Sequence, residues 1–197
     1  MNERRLARIN EVVKNRQSNI IVVLEDIHDP HNAAAILRTC DAMGIQDVWF
    51  IFEKEKPYNP KRVGKATSSS ANKWLTFRTF TSAAACIVAV KKQKYIIMVT
   101  ALNDASVSLK NYQDNLKPLA IVVSNEHSGV SEAMLSSSDI ILKIPMQGFV
   151  QSMNVSVAAA IVLWEITKQR IFTDTPMTIK GRAQQKLLDE FLERSKK

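Results

Sequence analysis

The sequence predicts an α/β domain built on a mostly parallel sheet covered by helices. Short apolar runs rich in β-branched and aromatic residues, such as IIVVL at 20–24 and LAIVV at 119–123, recur between stretches of helical periodicity. These runs lack sustained polar alternation, the pattern of strands covered on both faces. A chain of 197 residues, 46% of them hydrophobic, is long enough for one domain with a sizeable core and terminal extensions.

The opening segment Glu3–Lys14 places Leu6, Ile9 and Val13 at helical spacing beside Arg4, Arg5, Arg8 and Lys14. Two readings stand: a helix packed on the core with an ordinary solvated face, or a basic arm that contacts RNA. Residues 20–24 form a strand. The loop that follows ends in Asp29-Pro30, with Asp29 placed to cap a helix and Pro30 to open it. That helix, NAAAILRTCDAMG, runs to Gly44 on an Ile36, Cys40, Met43 stripe, and residues 48–52 make the next strand, completing a βαβ unit.

Pro57 and Pro60 mark a loop into GKATSSSANKWLTF, and residues 74–80 are expected as a short strand. A helix at 82–90 and strands at 95–100, 119–123 and 140–144 continue the pattern. The stretch MNVSVAAAIVLWEIT at 153–167 is apolar on nearly every face, so it needs burial on nearly every face. A large core or a second subunit can supply that, and the chain's size favours the second subunit. Pro176 breaks the chain before a last amphipathic helix at 180–194, with Leu187, Leu188, Phe191 and Leu192 on one side.

Lys and Arg outnumber Asp and Glu by 27 to 19, a formal charge of +8, which concentrates polyanions near the surface without conferring sequence specificity. Cys40 and Cys86 form no CxxC pair, which disfavours a disulfide framework or Cys-rich zinc site. The histidines His28, His31 and His127 are better explained by a helix start and a polar loop than by a metal, so no metal is expected. No apolar run is long enough to span a bilayer and MNERRLAR does not read as a secretion signal, so a cytoplasmic protein with no membrane partner is expected. Dinucleotide fingerprints, phosphate-loop motifs and GxSxG elbows are missing, and the serine clusters at 68–70 and 136–138 lack a nucleophile's setting.

Three loops after strands concentrate polar residues and glycines. The first, EDIHDPHNAAAILRTCDAMG, carries Asn32 and Arg38. The second, SNEHSGVSEAML, carries Asn125, Glu126, Gly129 and Ser131. The third, IPMQGFVQSMNVSVAAAIVLWE, carries Gly148, Ser152 and Asn154. Parallel strands would bring all three to the carboxyl edge of the sheet, where open α/β folds bind ligands. Bland readings exist for each: Arg38 as an exposed helix residue, Glu126 as a loop carboxylate, Gly129 and Gly148 as positive-φ turn residues, Asn154 as a helix cap, Ser152 as a turn terminus. The residues by themselves indicate a site without choosing its reaction.

At these three loops the chain resembles the SPOUT superfamily of methyltransferases, in particular the TrmH-type tRNA and rRNA ribose 2'-O-methyltransferases. NAAAILRTCDAMG is similar to the family's first motif, EHSGVSEAML to its second and IPMQGFVQSMNVSVAAAIVLWE to its third. SSSANKW and the extensions look like the tRNA guanosine-18 group. The resemblance implies a sheet with helices on both faces and a C-terminal deep trefoil knot, with a helical extension at 1–18, a methyltransferase domain at 19–170 and a second extension at 171–197. It implies S-adenosyl-L-methionine as cofactor, held around Thr100, Asn125, Gly129, Ile144, Gly148 and Met153, and a homodimer packed through the third-motif helix. Carried over by position, Asn32, Arg38, Glu126, Ser152 and Asn154 match the family's active-site group. Arg8 resembles an arginine that reaches the other subunit's site, and Arg170 one used in RNA binding. Ser124 stands where the second motif usually has glycine.

The implied reaction is methylation of a ribose 2'-hydroxyl of tRNA, most closely guanosine 18, since only RNA presents that hydroxyl. Other tRNA positions or rRNA, and a non-catalytic RNA-binding module, are the alternatives. Arg4, Arg5, Arg8, Lys61, Arg62, Lys65, Lys168 and Arg170 are candidate phosphate contacts.

Overall fold

The computed structural model describes residues 2–63, 71–103, 105–125 and 127–196. Glu126, Lys65 and the serine cluster at 68–70 lie outside the described residues. Seven parallel strands form one sheet: β1 (Ile20–Glu25), β2 (Asp47–Ile51), β3 (Thr76–Phe80), β4 (Ile96–Thr100), β5 (Val107–Ser108), β6 (Leu119–Ser124) and β7 (Ile140–Lys143). Their order is β3-β2-β1-β6-β4-β7-β5, so the chain builds outward from β1 in one direction and then fills the other side. The long helices are α1 (Glu3–Lys14), α2 (Pro30–Ala42), α4 (Ala83–Lys92), α6 (Val155–Arg170) and α7 (Gly181–Lys196), with short α3 (Ala71–Trp74) and α5 (Glu132–Ser137) between them.

Side-chain alternation along β1 divides the core in two. Ile20, Val22 and Leu24 face α2 and α6, meeting Ile36, Leu37, Val162 and Ile166. Ile21 and Val23 face α4 and α5, meeting Cys86, Val90 and Met134. Helices therefore cover both faces, which is why the strands read as continuous apolar runs. Burying each aliphatic side chain contributes roughly 1.5–3 kcal/mol, so a polar substitution at Val22 or Val122 would break the sheet from its centre. Burial pushes the Cys86 thiol up to about 12, and both cysteines are free and buried.

Helix ends follow the local sequence. Asp29 caps α2 by accepting from the His31 N–H at 2.8 Å, with Pro30 in the first turn, where its missing N–H costs nothing. Gly44 ends the next turn at φ +74, and a Cβ there would stand 2.6 Å from the Asn15 carbonyl oxygen, so both conformation and space require glycine. The third-motif helix begins at Val155, two residues later than the periodicity suggests, because Asn154 caps it, and it extends to Arg170. The expected strand at 74–80 divides into a helical turn ending at Trp74 and a strand from Thr76. Helix α5 and strand β5 are too short to carry a period and are not legible in the sequence.

Helices α1 and α7 pack on each other through Ile9, Val13, Leu187 and Phe191, with Trp74 against the same cluster. The apolar side of α1 is thus packed, and Arg4, Arg5 and Arg8 form an exposed charged face. Arg16, just beyond α1, is fully buried; it donates to the Asp41 carboxylate at 2.5 Å and to the Asp41 and Ile45 carbonyls, fastening α1 to the end of α2.

Arg170 requires a correction. Its side chain is withdrawn from solvent and forms an ion pair with the equally buried Asp114. Its other donors reach the Asn19 carbonyl at 3.1 Å and the Lys117 carbonyl at 2.7 Å. All of its guanidinium edges are committed to joining the end of α6 to the chain entering β1 and β6, so it is not a phosphate contact. Neighbouring Lys168 is half-exposed and paired with Glu165.

Removing one partner of the buried pair leaves the other charge uncompensated. Asp114→Ala is expected to lower unfolding stability by about 3–5 kcal/mol in urea denaturation; a loss below 1 kcal/mol would contradict this role. At the start of β2, burial and then the Glu190 carboxylate push Asp47 from an ordinary 3.8 up to about 6. Between those values the folded chain keeps a proton that the unfolded chain releases, so stability falls as pH rises through this window. Asp47→Asn is therefore expected to raise stability at pH 8 by up to about 3 kcal/mol, with the gain vanishing near pH 4, as followed by thermal unfolding across pH.

Candidate active site

The carboxyl ends of β4, β6 and β7, together with the start of α6, enclose a cavity of about 420 Å³. Its size is that of a small-ligand pocket. Thr100, Asn125, Gly129, Ile144, Ser152 and Met153 are among its lining residues, so segments far apart in sequence meet there. Leu135, Leu142, Val155 and Ala158 supply apolar wall, and residues 144–154 cross it without regular secondary structure, leaving backbone N–H and C=O groups available. An apolar floor beside irregular backbone fits an adenosyl group, whose ring needs contact area and edge hydrogen bonds. Ser124 also lines the cavity and is nearly buried, so a hydroxymethyl group occupies part of that wall.

Two acids at the end of β1 hold the loops around this cavity. Asp26 adopts φ +48, a left-handed conformation that Asp tolerates better than most residues. Its carboxylate oxygen accepts from the N–H groups of Glu53, Lys54 and Glu55 at 2.8–3.1 Å, gathering the loop after β2. The Asp26 carbonyl accepts from Asn125 Nδ2 at 2.7 Å, while Asn125 Oδ1 accepts from the His127 and Ser128 N–H groups. Glu25 points to the other face and accepts from both the hydroxyl and the N–H of Ser131. Burial raises the Glu25 carboxyl above its ordinary value, and the two bonds from Ser131 oppose that shift. Neither acid stood out in the sequence beyond ending an apolar strand; their roles depend on loops 27 to 106 residues away.

A second junction joins the starts of α2 and α6. Asn154 Nδ2 donates to Asn32 Oδ1 at 3.1 Å, and Asn154 Oδ1 accepts from the Ser156 N–H and hydroxyl at 2.9 and 2.6 Å. Capping and site membership are thus compatible for Asn154. Two helix N-termini, each closed by its own side-chain cap, are joined here, and their aligned peptide dipoles favour negative charge nearby. Arg38 is exposed on α2, about 9 Å along the axis from Asn32, and helical side chains incline toward the N-terminus.

Five sequence-derived positions are not among the residues that line the cavity within one chain: Arg8, Asn32, Arg38, Gly148 and Asn154. Gly148 is absent from its lining and lacks the positive φ expected of a turn glycine, because the backbone at 147–150 is an open surface bend; Gly129 does have φ +67. Arg8 pairs with Glu11 at 2.8 Å on α1 and borders a separate hollow with Trp164 and Phe172, toward the far end of α6. Among the histidines, His28 Nδ1 lies 2.9 Å from a Glu55 carboxylate oxygen, and no metal-holding group of three or more ligands occurs among the described residues.

With this geometry in view, comparison with known proteins is specific. A model of the SpoU rRNA Methylase family matches residues 19–164. A tRNA (guanosine(18)-2'-O)-methyltransferase of Thermus thermophilus is 38% identical over 169 residues, covering 86% of this chain and 84% of that protein. An Escherichia coli K12 protein of the same name is 35% identical over 170 residues, covering 86% and 72%. The crystal structure of an A. aeolicus TrmH/SpoU tRNA modifying enzyme superposes with a TM-score of 0.87 at 30% identity, covering 98% of this chain and 97% of that one. On the strength of the family match and of relatives alike over most of both lengths, the chain belongs to the SpoU methylase family, among its TrmH-type members.

Proposed function

We propose that this protein transfers a methyl group from S-adenosyl-L-methionine to a ribose 2'-hydroxyl of tRNA, with guanosine 18 as the target. The observation that carries the reading is the convergence of the second and third motif segments and the end of β4 on one cavity, with the first motif joined to its border by the Asn32–Asn154 bond. Relatives named for guanosine-18 methylation match along most of their own length, which favours tRNA over rRNA. The formal charge of +8 and the exposed Arg4, Arg5 and Arg8 suit a polyanionic partner.

Thr100, Asn125, Gly129, Ile144 and Met153 are the residues to hold the cofactor, and Gly148 lies between Met146 and Gln151 of the same wall. When bound, S-adenosyl-L-methionine supplies an electrophilic methyl group on a positively charged sulfur. The protein's task is then to orient the ribose hydroxyl and favour loss of its proton. Asn32 and Asn154, fixed to each other, and Ser152 at the cavity rim position the ribose by hydrogen bonds. The Arg38 guanidinium has five donors and no acceptor, so it is no general base. It clamps the adjacent phosphate and stabilises negative charge developing on the 2'-oxygen, with the proton passing to phosphate or water. Glu126 belongs to the same reading as a carboxylate that balances the cofactor's charge.

The homodimer is part of the proposal. On α6, Val157 and Trp164 are 49% and 47% exposed in the single chain, and the Trp164 ring packs on the exposed Phe172 at 5.5 Å between centroids. A second copy covering this face would satisfy the helix's all-round apolarity and give Arg8 access to the partner's site. The trefoil knot belongs here too, as what the likeness to the TrmH-type group implies. The division into 1–18, 19–170 and 171–197 and a cytoplasmic place of action complete the reading.

Incubating the protein with unmodified total tRNA and methyl-labelled S-adenosyl-L-methionine is expected to label tRNA, with nucleoside mapping finding 2'-O-methylguanosine at position 18. Labelling of rRNA alone, or RNA binding without transfer, would overturn the assignment. Because lysine offers a point charge in place of a planar fork, Arg38→Lys is expected to lower kcat at least tenfold; nearly full activity across pH would rule out the bidentate clamp.

A further inference from the structure

We propose that Glu25 is a positioning residue for cofactor recognition, fixing through Ser131 where the Ser128–Gly129–Val130 wall of the cavity stands. This rests on the methyl-transfer reading of that cavity. Residues 127–131 are tied to the end of β1 on both sides: Asn125, whose Oδ1 accepts from the His127 and Ser128 N–H groups, donates Nδ2 to the Asp26 carbonyl, and Ser131 donates to Glu25. Between the ties, Ser128, Gly129 and Val130 face the cavity. Gly129 donates its N–H to the Asn125 carbonyl at 3.1 Å, and no heavy atom stands within 4 Å of a Cβ built on it. The wall is therefore a short strap whose position is set by where its ends are fastened.

The Glu25 fastening is chemically specific. Glu25 is 2% exposed, and desolvating a carboxylate is unfavourable unless its oxygens receive hydrogen bonds. Oε1 accepts from Ser131 Oγ at 2.6 Å and Oε2 from the Ser131 N–H at 3.1 Å. Committing the Ser131 proton to Glu25 turns a lone pair of Oγ toward the Met134 N–H, 3.2 Å away, where the hydroxyl caps α5. Leu135 of α5 also lines the cavity, so one carboxylate governs both strap and adjoining turn. An amide at position 25 has a single acceptor oxygen and would turn its NH₂ toward one of the two donors. The site is legible only in three dimensions, since Glu25 and Ser131 are 106 residues apart.

Binding of S-adenosyl-L-methionine by calorimetry, without turnover, tests this in the full chain. Ser131→Ala and Glu25→Gln are each expected to weaken cofactor binding about tenfold, the scale of one lost charge-assisted hydrogen bond, while tRNA affinity stays within about twofold. Ser131→Thr, which keeps the hydroxyl, is expected to bind like wild type. The double variant should bind no more weakly than the weaker single variant, because both changes remove one connection. Amide exchange at Ser131 and Met134 should speed up in both single variants. Unchanged cofactor affinity in folded variants, parallel losses for cofactor and tRNA, or additive losses in the double variant would overturn the proposal. If Glu25→Gln does not fold, the Ser131→Ala and Ser131→Thr pair decides it. A wild type that binds no S-adenosyl-L-methionine overturns the functional reading itself, whereas a binding wild type with insensitive variants overturns only the role of Glu25.

Discussion

The carboxyl end of β1 is where two buried acids, adjacent in sequence, turn their side chains to opposite sides and hold the site's loops in place. Asp26 gathers the N–H groups of residues 53–55, and Glu25 holds Ser131. Burying carboxylates is costly, and each is stabilised here by several donors, three on Asp26 Oδ1 and one on each oxygen of Glu25. The Asp26 carbonyl adds the bond from Asn125, so the loops after β1, β2 and β6 share one fixed point. Irregular loops alone have little to define their positions. Fastened to a central strand of a seven-stranded sheet, they gain its rigidity.

The same economy appears along α6. Its first residue is preceded by Asn154, which caps the helix and bonds Asn32, so the start of α6 is coupled to the start of α2. Its last residue, Arg170, is locked to Asp114 and to backbone near the starts of β1 and β6. Between the ends, Val162, Leu163 and Ile166 sit in the core beside α2. The helix is thus held at both ends by polar contacts and along its length by apolar ones, which keeps Ser152 and Met153, just before it, at the cavity. In the proposed dimer its remaining face would transmit the partner's position to the same place.

Much of the fold was readable because its signals are local. Buried parallel strands need apolar runs on both faces, and IIVVL, YIIMV and LAIVV have them; Asp29-Pro30 marks a helix start through capping chemistry confined to adjacent residues. Elements as short as the two-residue β5 and the six-residue α5 contain too few residues for a period to emerge. Basicity was a poorer guide. Arg16 and Arg170 look like their exposed neighbours in sequence, yet both are buried, because a guanidinium can join several carbonyls and a carboxylate at once where helix ends meet the sheet.

The sequence by itself determined the α/β class, the approximate strands and long helices, and the three motif segments whose likeness to a methyltransferase family names the chemistry. Those depend on residue type and short spacing, which the chain carries locally. Only the tertiary structure decided that Thr100, Asn125, Ile144 and Met153 line one cavity, that Gly148 and Arg8 stand apart from it within a single chain, and that Glu25 and Ser131 are partners. Contacts across such separations arise from strand order and helix packing. Pattern along the chain does not encode them, because the physical quantity that selects them, the mutual satisfaction of buried groups, exists only once the chain has folded.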